Sequence, residues 1–480
     1  MIAAGHRCTA AAGAQVLSQG GNAVDAAIAA CFAALVAEPT LTGLGAGGFM
    51  LVHDPRRDTP VVLDFFVAAG GIGSDRVRAE LTPTPVDFGT TVQMFYGGHA
   101  SIAVPGMAAG LFAAHHEFGT VDMSELIRPA CDLAREGVEQ TAQQERLNAL
   151  LAGVNALTEE SRRVYLPDGH PLRAGERFTL LDIVDTLQGL VSQGPAWLYG
   201  GELGQRLIDE VNSGGGVMTL ADLEQYQVIT REPTKCDYGG FQVYSNPSPA
   251  TGGRLVSVIL DRLASADLGG AQFQDEQHLE ALIGALRQAL TARQNNFANL
   301  GNTTHISVIA ADGMAVSVTS SDGANSGVVL AGTGIVLNNM LGEADLQPLD
   351  GPPQPGQRLG NMMSPTIVLE QGTPRLVLGS AGSNRICSAV SEVISSVLDF
   401  GLDIAAAVNA PRVHIESETV ELEAGIAGHV ADALASAGHK LNRWPDQNLY
   451  FGGLQAVSRG GNGELSGAGD PRRGGFAITV

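Results

Sequence analysis

Around residue 300 the chain adopts a pattern that specifies a β-hairpin. His305-Ile306-Ser307-Val308-Ile309 alternates polar and apolar, Ala311-Asp312-Gly313 supplies a turn, and residues 315–319 alternate back. The hairpin demands partners on both sides, and the rest of the chain offers them. A helix is expected over 10–17, a break at Gly20-Gly21-Asn22, and a second helix over 23–37, with Asn22 as N-cap, Asp25 complementing the helix dipole and Pro39 ending it. Strands follow at 49–53 and 61–66, joined by a turn at Asp54-Pro55. Residues 121–292 read as mainly helical, with amphipathic stretches at 123–136 and 279–292, and 233–253 reads as a β-and-turn insertion rich in Pro, Gly and Ser. A further strand pair at 366–369 and 375–378 precedes a helix over 388–400. Strands bounded by helices, with long gaps between paired runs, imply stacked layers of helix and sheet.

With 480 residues, 44% of them hydrophobic, the chain can bury a large core. Acids outnumber bases 50 to 28, a formal charge of −22. Such a surface repels phosphate backbones and anionic lipid, so neither nucleic acid nor a membrane is an expected partner. The five cysteines (Cys8, Cys31, Cys131, Cys236, Cys387) are scattered and never spaced as CxxC, which argues against a disulfide framework and a zinc site. No metal and no cofactor is expected. The opening residues lack the basic and apolar regions of a signal peptide, and the apolar run 26–37 is too short to span a bilayer. These features point to a soluble, cytoplasmic protein.

Thr303-Thr304-His305 opens the hairpin directly after the small residues Gly301-Asn302. A threonine at a strand start is ordinarily there for β-propensity. It becomes a catalytic nucleophile when its own free α-amine can act as base, and an internal threonine has no such amine. The chemical reading therefore requires a cut between Asn302 and Thr303, made by the Thr303 hydroxyl on the preceding carbonyl.

The stretch Gly301-Asn302-Thr303-Thr304-His305-Ile306-Ser307-Val308 resembles the processing site of γ-glutamyltransferases, which are N-terminal-nucleophile (Ntn) hydrolases. The likeness runs nearly end to end, through Gly20-Gly21-Asn22-Ala23-Val24-Asp25, Gly43-Leu44-Gly45-Ala46-Gly47-Gly48, Val104-Pro105-Gly106, Asn338-Asn339-Met340, Met363-Ser364-Pro365-Thr366, Gly379-Ser380-Ala381-Gly382-Ser383, Asn409-Ala410-Pro411-Arg412 and Asp470-Pro471-Arg472. The resemblance implies an α+β fold, a four-layer αββα sandwich built from one self-cleaved precursor. Residues 1–302 would form the large subunit and 303–480 the small, catalytic one, giving a heterodimer of the chain's own fragments that can pair further. It implies an acyl-enzyme mechanism at Thr303 on a small γ-glutamyl or related acyl compound, with transfer to water or an acceptor amine. Ser321 falls where relatives keep a hydroxyl on the nucleophile, and Gly382 and Ser383 fall where backbone N–H groups hold the oxyanion.

The substrate pocket departs from the pattern. Phe66 replaces the arginine that pairs with a substrate α-carboxylate in glutathione-cleaving members, and a phenyl ring cannot make that bidentate bond. The serine pair that assists it is replaced by Gly360-Asn361 or Asn361-Met362. The acid receiving the α-amine corresponds to Glu343, with Asp345 close by, and the asparagine after the hairpin corresponds to Asp322 or Asn325. Carboxylate recognition would then be rebuilt from residues such as Asn361 or Arg385. Alternatives are another acyl donor, as in cephalosporin acylases, poly-γ-glutamate-processing enzymes or carbon–carbon hydrolases of antibiotic pathways, and a non-catalytic relative that keeps the fold.

Other motifs have simpler readings. The Gly43 to Gly48 run lacks the GKS/T ending of a phosphate loop, and His115-His116 has no matching carboxylates for a metal. His305 is expected to make a structural hydrogen bond rather than serve as a base. Tyr450-Phe451-Gly452-Gly453 and Asp470-Pro471-Arg472-Arg473 are expected to pack and to form buried ion pairs.

Overall fold

The computed structural model describes residues 1–87, 92–266, 268–292, 302–343, 346 and 351–480. The chain is an α+β protein organised on two antiparallel sheets. The seven-stranded sheet runs in the order Phe476–Ile478, Ile2–Ala4, Asn302–Ile309, Ala315–Gly323, Gly47–His53, Val61–Phe65 and Ile229–Arg231. The six-stranded sheet runs Leu465–Gly469, Gly453–Arg459, Thr373–Ala381, Thr366–Glu370, Phe241–Ser245 and Thr234–Tyr238. The expected hairpin is the centre of the first sheet, with His305 opposite Thr319 and Val308 opposite Val316.

The two sheets pack against each other through Phe49, Leu51, Ile309, Ile367, Val377 and Val457. Hydroxyls cross the interface: Ser307 Oγ donates to Gln455 O and Ser317 Oγ to Leu378 O, both at 3.0 Å. The helix Ala23–Ala37 packs on the outer side of the first sheet, and every one of its residues is buried. A reciprocal capping box starts it: Asn22 Oδ1 accepts from Val24 N and Asp25 N, while the Asp25 carboxylate accepts from Asn22 N and Thr120 N. The helices Gly252–Ala264 and Arg385–Leu398 cover the second sheet, and Glu276–Ala292 packs on the first of these.

Two local expectations are corrected. The stretch 123–136 is two helices, Met123–Leu126 and Arg128–Glu136, because Pro129 at the start of the second cannot donate to the turn before it. The 233–253 segment is no insertion. Its two strands form the edge of the six-stranded sheet, and Pro, Gly and Ser suit an edge and its turns. The Gly43 to Gly48 run serves close packing, since a Cβ at Gly48 would strike Thr319 O and one at Gly45 would strike Val336 O.

Near the C-terminus, Arg472 donates to Glu423 at 2.5 Å and to Asp470 at 3.1 Å, while Arg412 reaches Asp470 at 2.5 Å. These groups are sealed from water, so each charge depends on its partners.

Candidate active site

Strand register places Thr303 at an irregularity. Asn302 pairs with Gly323 and Thr304 with Ser320, so Thr303 alone faces both Ser321 and Asp322. Such a bulge re-aims the side chain it carries. Thr303, Ser321 and Gly323 line one small cavity, of about 40 Å³. Phe66, Glu343, Asn361 and Ser383 line it as well, so residues from five distant stretches of sequence converge there. The Asn302 side chain and Asp345 lie outside the described residues.

The bulge also decides what is excluded. Asp322 is not among the lining residues and is fully buried, and neither of its oxygens has a hydrogen-bond partner among the described residues. Burial pushes its carboxyl well above the ordinary range. Strand alternation sends it away from the cavity that its neighbours Ser321 and Gly323 face. Asn325, the other candidate for that role, is committed elsewhere, donating to Asn155 Oδ1 and accepting from Gly327 N.

Phe66 is buried and stacks on Phe49, with ring centroids 5.6 Å apart. Its backbone is pinned by Asp64, which accepts from Phe66 N at 3.0 Å and holds Arg231 at 2.8 Å. Arg358 donates to Phe66 O and stacks over Tyr226, so this cation is spent on the backbone behind the ring. Asn361 has its amide oriented by its own loop. Its Oδ1 accepts from Met363 N at 3.0 Å, and its backbone carbonyl accepts from Thr251. The opposite atom, Nδ2, is buried and has no partner among the described residues. An unsatisfied buried donor is costly, and a group on a ligand would relieve it.

Gly382 and Ser383 join the strand Thr373–Ala381 to the helix Arg385–Leu398. Gly382 has φ 123°, and a Cβ there would come within 2.8 Å of Gly452 Cα. Ser383 adopts φ 49°, a left-handed conformation that a serine takes at some cost. Ser383 and Ile386 line the Thr303 cavity, whereas Gly382 does not appear in the lining and Arg385 points elsewhere. The Arg385 guanidinium lies over Tyr450, donates to Tyr450 O and approaches Glu416 at 3.7 Å.

His305 bonds Thr319 through Nδ1 and Ser307 through Nε2, at 2.7 and 3.0 Å. Burial holds its pKa down to about 3, so the ring is neutral and structural. On the far side of the strand, Glu38 accepts from Thr304 Oγ1 at 2.5 Å and Thr9 Oγ1 at 2.6 Å. Burial pushes this carboxyl up to about 7. Sequence reasoning missed Glu38, and it missed Met340, Met363 and Ile386 of the cavity wall, whose only signal was their place within or beside the motifs. Among the described residues no helix is long and apolar enough to cross a membrane, and no group of three His, Cys, Asp or Glu side chains is placed to hold a metal.

The Gamma-glutamyltranspeptidase family model matches residues 9–300 and 295–480. The Acylase ACY 1 proenzyme of Pseudomonas sp. (strain SE83) is 29% identical, over 100% of this chain and 93% of its own length. The Glutathione hydrolase proenzyme of Escherichia coli (strain K12) is 28% identical, over 98% of this chain and 90% of its own. Among solved structures, the cephalosporin acylase from Bacillus halodurans superposes with a TM-score of 0.82 at 24% identity, covering 100% of this chain and 96% of that one. The Helicobacter pylori gamma-glutamyltranspeptidase matches at 0.53 and 28% identity, covering 61% and 82%. With a family model spanning nearly its whole length and relatives that are enzymes over theirs, the chain belongs to the gamma-glutamyltranspeptidase family and is an enzyme of that family.

Proposed function

We propose that the chain is a self-processing acyl hydrolase and transferase with Thr303 as nucleophile, acting on γ-glutamyl amides. The observation that carries this reading is the bulge at Thr303, which turns that residue into a cavity shared with Ser321, Ser383, Glu343 and Asn361. Maturation proceeds by attack of Thr303 Oγ on the Asn302 carbonyl carbon. The C–N bond breaks, the proton passes to nitrogen, and water hydrolyses the resulting ester to leave a carboxylate on Asn302 and a free amine on Thr303. That amine then serves as base for the adjacent hydroxyl. The product is a heterodimer of 1–302 and 303–480 in a four-layer αββα sandwich.

In turnover, Thr303 Oγ attacks the acyl carbon and expels an amine, and water or a second amine then takes the acyl group. Backbone N–H groups of Gly382 and Ser383, at the start of the 14-residue helix Arg385–Leu398, hold the oxyanion. Ser321 orients the nucleophile, Glu343 receives the substrate α-amine, and the Asn361 amide donates to its α-carboxylate. At about 40 Å³ the cavity of the uncut chain is too small for an acyl group, so opening follows the cut.

A second reading has its own support. Phe66, Met340, Leu346, Met362, Met363 and Ile386 make most of the wall apolar. That favours a less polar acyl group, and one relative is named an acylase rather than a glutathione hydrolase. Intact-mass spectrometry of wild type beside Thr303→Ala tests the shared core. Two fragments in wild type, the smaller starting at Thr303, and one chain in the variant are expected. A single chain in both would remove the mechanism. Turnover of a γ-glutamyl anilide against an apolar acyl anilide then separates the two substrates.

A further inference from the structure

The turn that follows the helix Ala23–Ala37 grips the β-hairpin where the strand of Thr303 begins. Glu38 ends the helix, its N–H donating to Ala34 O at 2.8 Å, and its carbonyl accepts from Leu41 N at 2.9 Å and Thr42 N at 3.3 Å. From this folded turn two side chains reach the same pair of hairpin residues. The Glu38 carboxyl accepts from Thr304 Oγ1 at 2.5 Å, and Thr42 Oγ1 bonds Ser320 Oγ at 3.0 Å. Thr304 and Ser320 face each other across the ladder, the first regular pair after the bulge at Thr303. All four side chains are buried. The space is closely filled: a Cβ at Gly5 would stand 2.2 Å from Glu38 Oε2 and 2.7 Å from Thr304 Oγ1, so the chain passes this contact as a glycine.

We propose that Glu38 is a positioning residue: through the Thr304 hydroxyl it holds the strand end in the sheet once the chain is cut, and so keeps Thr303 aimed into its cavity. The inference rests on Thr303 as nucleophile and on the cut before it. In the uncut chain Thr303 is tethered on both sides. Afterwards it is the first residue of a fragment, and chain ends fray unless something ties them down. Thr303 lies in the bulge, outside the regular ladder, so its direction depends on the residue that follows it. Successive side chains of a strand point to opposite faces. Thr304 held outward on Glu38 therefore sends Thr303 inward. Glu38 belongs to the fragment 1–302 and Thr304 to 303–480, so the bond joins the two. Thr9 Oγ1 donates to the same carboxyl at 2.6 Å, but it ties Glu38 to the helix Arg7–Ser18 and not to the strand of Thr303.

Full-length wild type, Thr304→Val, Thr304→Ser and Thr9→Val are compared after self-cleavage. Hydrogen exchange of the peptide that begins at residue 303 reports on the strand end and needs no substrate. Thr304→Val is expected to speed that exchange about tenfold in the cut protein, the worth of one buried hydrogen bond, and to leave it near wild type when Thr303→Ala keeps both chains whole. Single-turnover acylation by whichever of the two anilides the wild type accepts should slow about tenfold or more, with its dependence on substrate concentration unchanged, because the nucleophile and not the binding site has moved. Thr304→Ser keeps the hydroxyl and restores both quantities. Thr9→Val removes a comparable bond from the same carboxyl and should leave both near wild type, which a merely structural role of Glu38 would not allow. Thr304→Ala removes the same hydroxyl with less bulk beside Glu38, and carries the test if the valine variant fails to fold. Equal effects of Thr9→Val and Thr304→Val, exchange raised as much in the uncut chain, or exchange raised with acylation unmoved each overturn the proposal. A Thr304→Val chain that folds but stays uncut overturns it too, because the contact would then serve the cut and not the enzyme after it. Wild type that remains a single chain is a different result and strikes Thr303 as nucleophile.

Discussion

Glu38 couples folding to pH in a way that can be measured. Its carboxyl is fully enclosed between Thr9 and Thr304, with hydroxyls donating at 2.6 and 2.5 Å, and burial moves its pKa from 4.5 to about 7 despite those bonds. The folded state therefore holds this proton more tightly than the unfolded chain does. Its contribution to stability is full below pH 4.5 and is lost as pH rises through about 7. Over the span from pH 5 to pH 8.5 the loss is about 2.5 kcal/mol. Glu38→Gln keeps the shape and an acceptor but has no proton to lose. Urea unfolding of both chains in a Thr303→Ala background, so that one uncut chain is compared with another, isolates the effect. His6, which burial holds down to about 4, titrates in both chains and cancels in the difference. Wild type should lose about 2.5 kcal/mol relative to Glu38→Gln across that span. A difference that stays constant to within about 0.5 kcal/mol would refute the reasoning, because it would mean that Glu38 remains ionised in the folded chain.

Three other substitutions test separate parts of the structure. Gly379→Ala sets a methyl group on the His305 ring between the sheets, and should cost about 1–3 kcal/mol in urea unfolding. Arg472→Met leaves Glu423 and Asp470 short of a partner in a sealed site, for an expected loss of about 3–5 kcal/mol by the same measurement. Phe66→Arg restores a carboxylate partner to the Thr303 cavity, so KM for a γ-glutamyl anilide should fall about tenfold relative to its analogue without the α-carboxylate. An unchanged ratio would show that the carboxylate is bound away from Phe66.

Much of the frame was legible because it rests on local signals. The Asp312-Gly313 hairpin and the Asn22 cap are written in a few adjacent residues, and both stand where expected. The strands Thr234–Tyr238, at the edge of the six-stranded sheet, and Phe241–Ser245, next to it, were misread as an insertion because strands at a sheet's margin carry little hydrophobic pattern of their own. At the candidate site, residues adjoining recognisable motifs were found and those governed by register were not. Asp322 looked like a ligand by position, yet a one-residue bulge hands the cavity to Ser321 and Gly323. The unpartnered Asn361 Nδ2 follows from Met363 claiming the other end of the amide, a fact of three-dimensional packing. Glu38 and Thr304 are far apart in sequence, and nothing local links them.

The strand order of the first sheet also sets a clock. Ile2–Ala4 is held between Asn302–Ile309 and Phe476–Ile478, which are synthesised after it, about 300 and about 470 residues later along the chain. The bulge that aims Thr303 belongs to this same sheet, so its surroundings are complete only when the last strand has paired with the first. A nascent chain that has not reached Phe476–Ile478 lacks the finished geometry, and the proposed cut is thereby deferred until that strand is made. Once made, the cut severs one peptide bond in a sheet where strands of the two fragments still pair, Ile2–Ala4 with both Phe476–Ile478 and Asn302–Ile309, and Gly47–His53 with Ala315–Gly323, so scission does not set either fragment free.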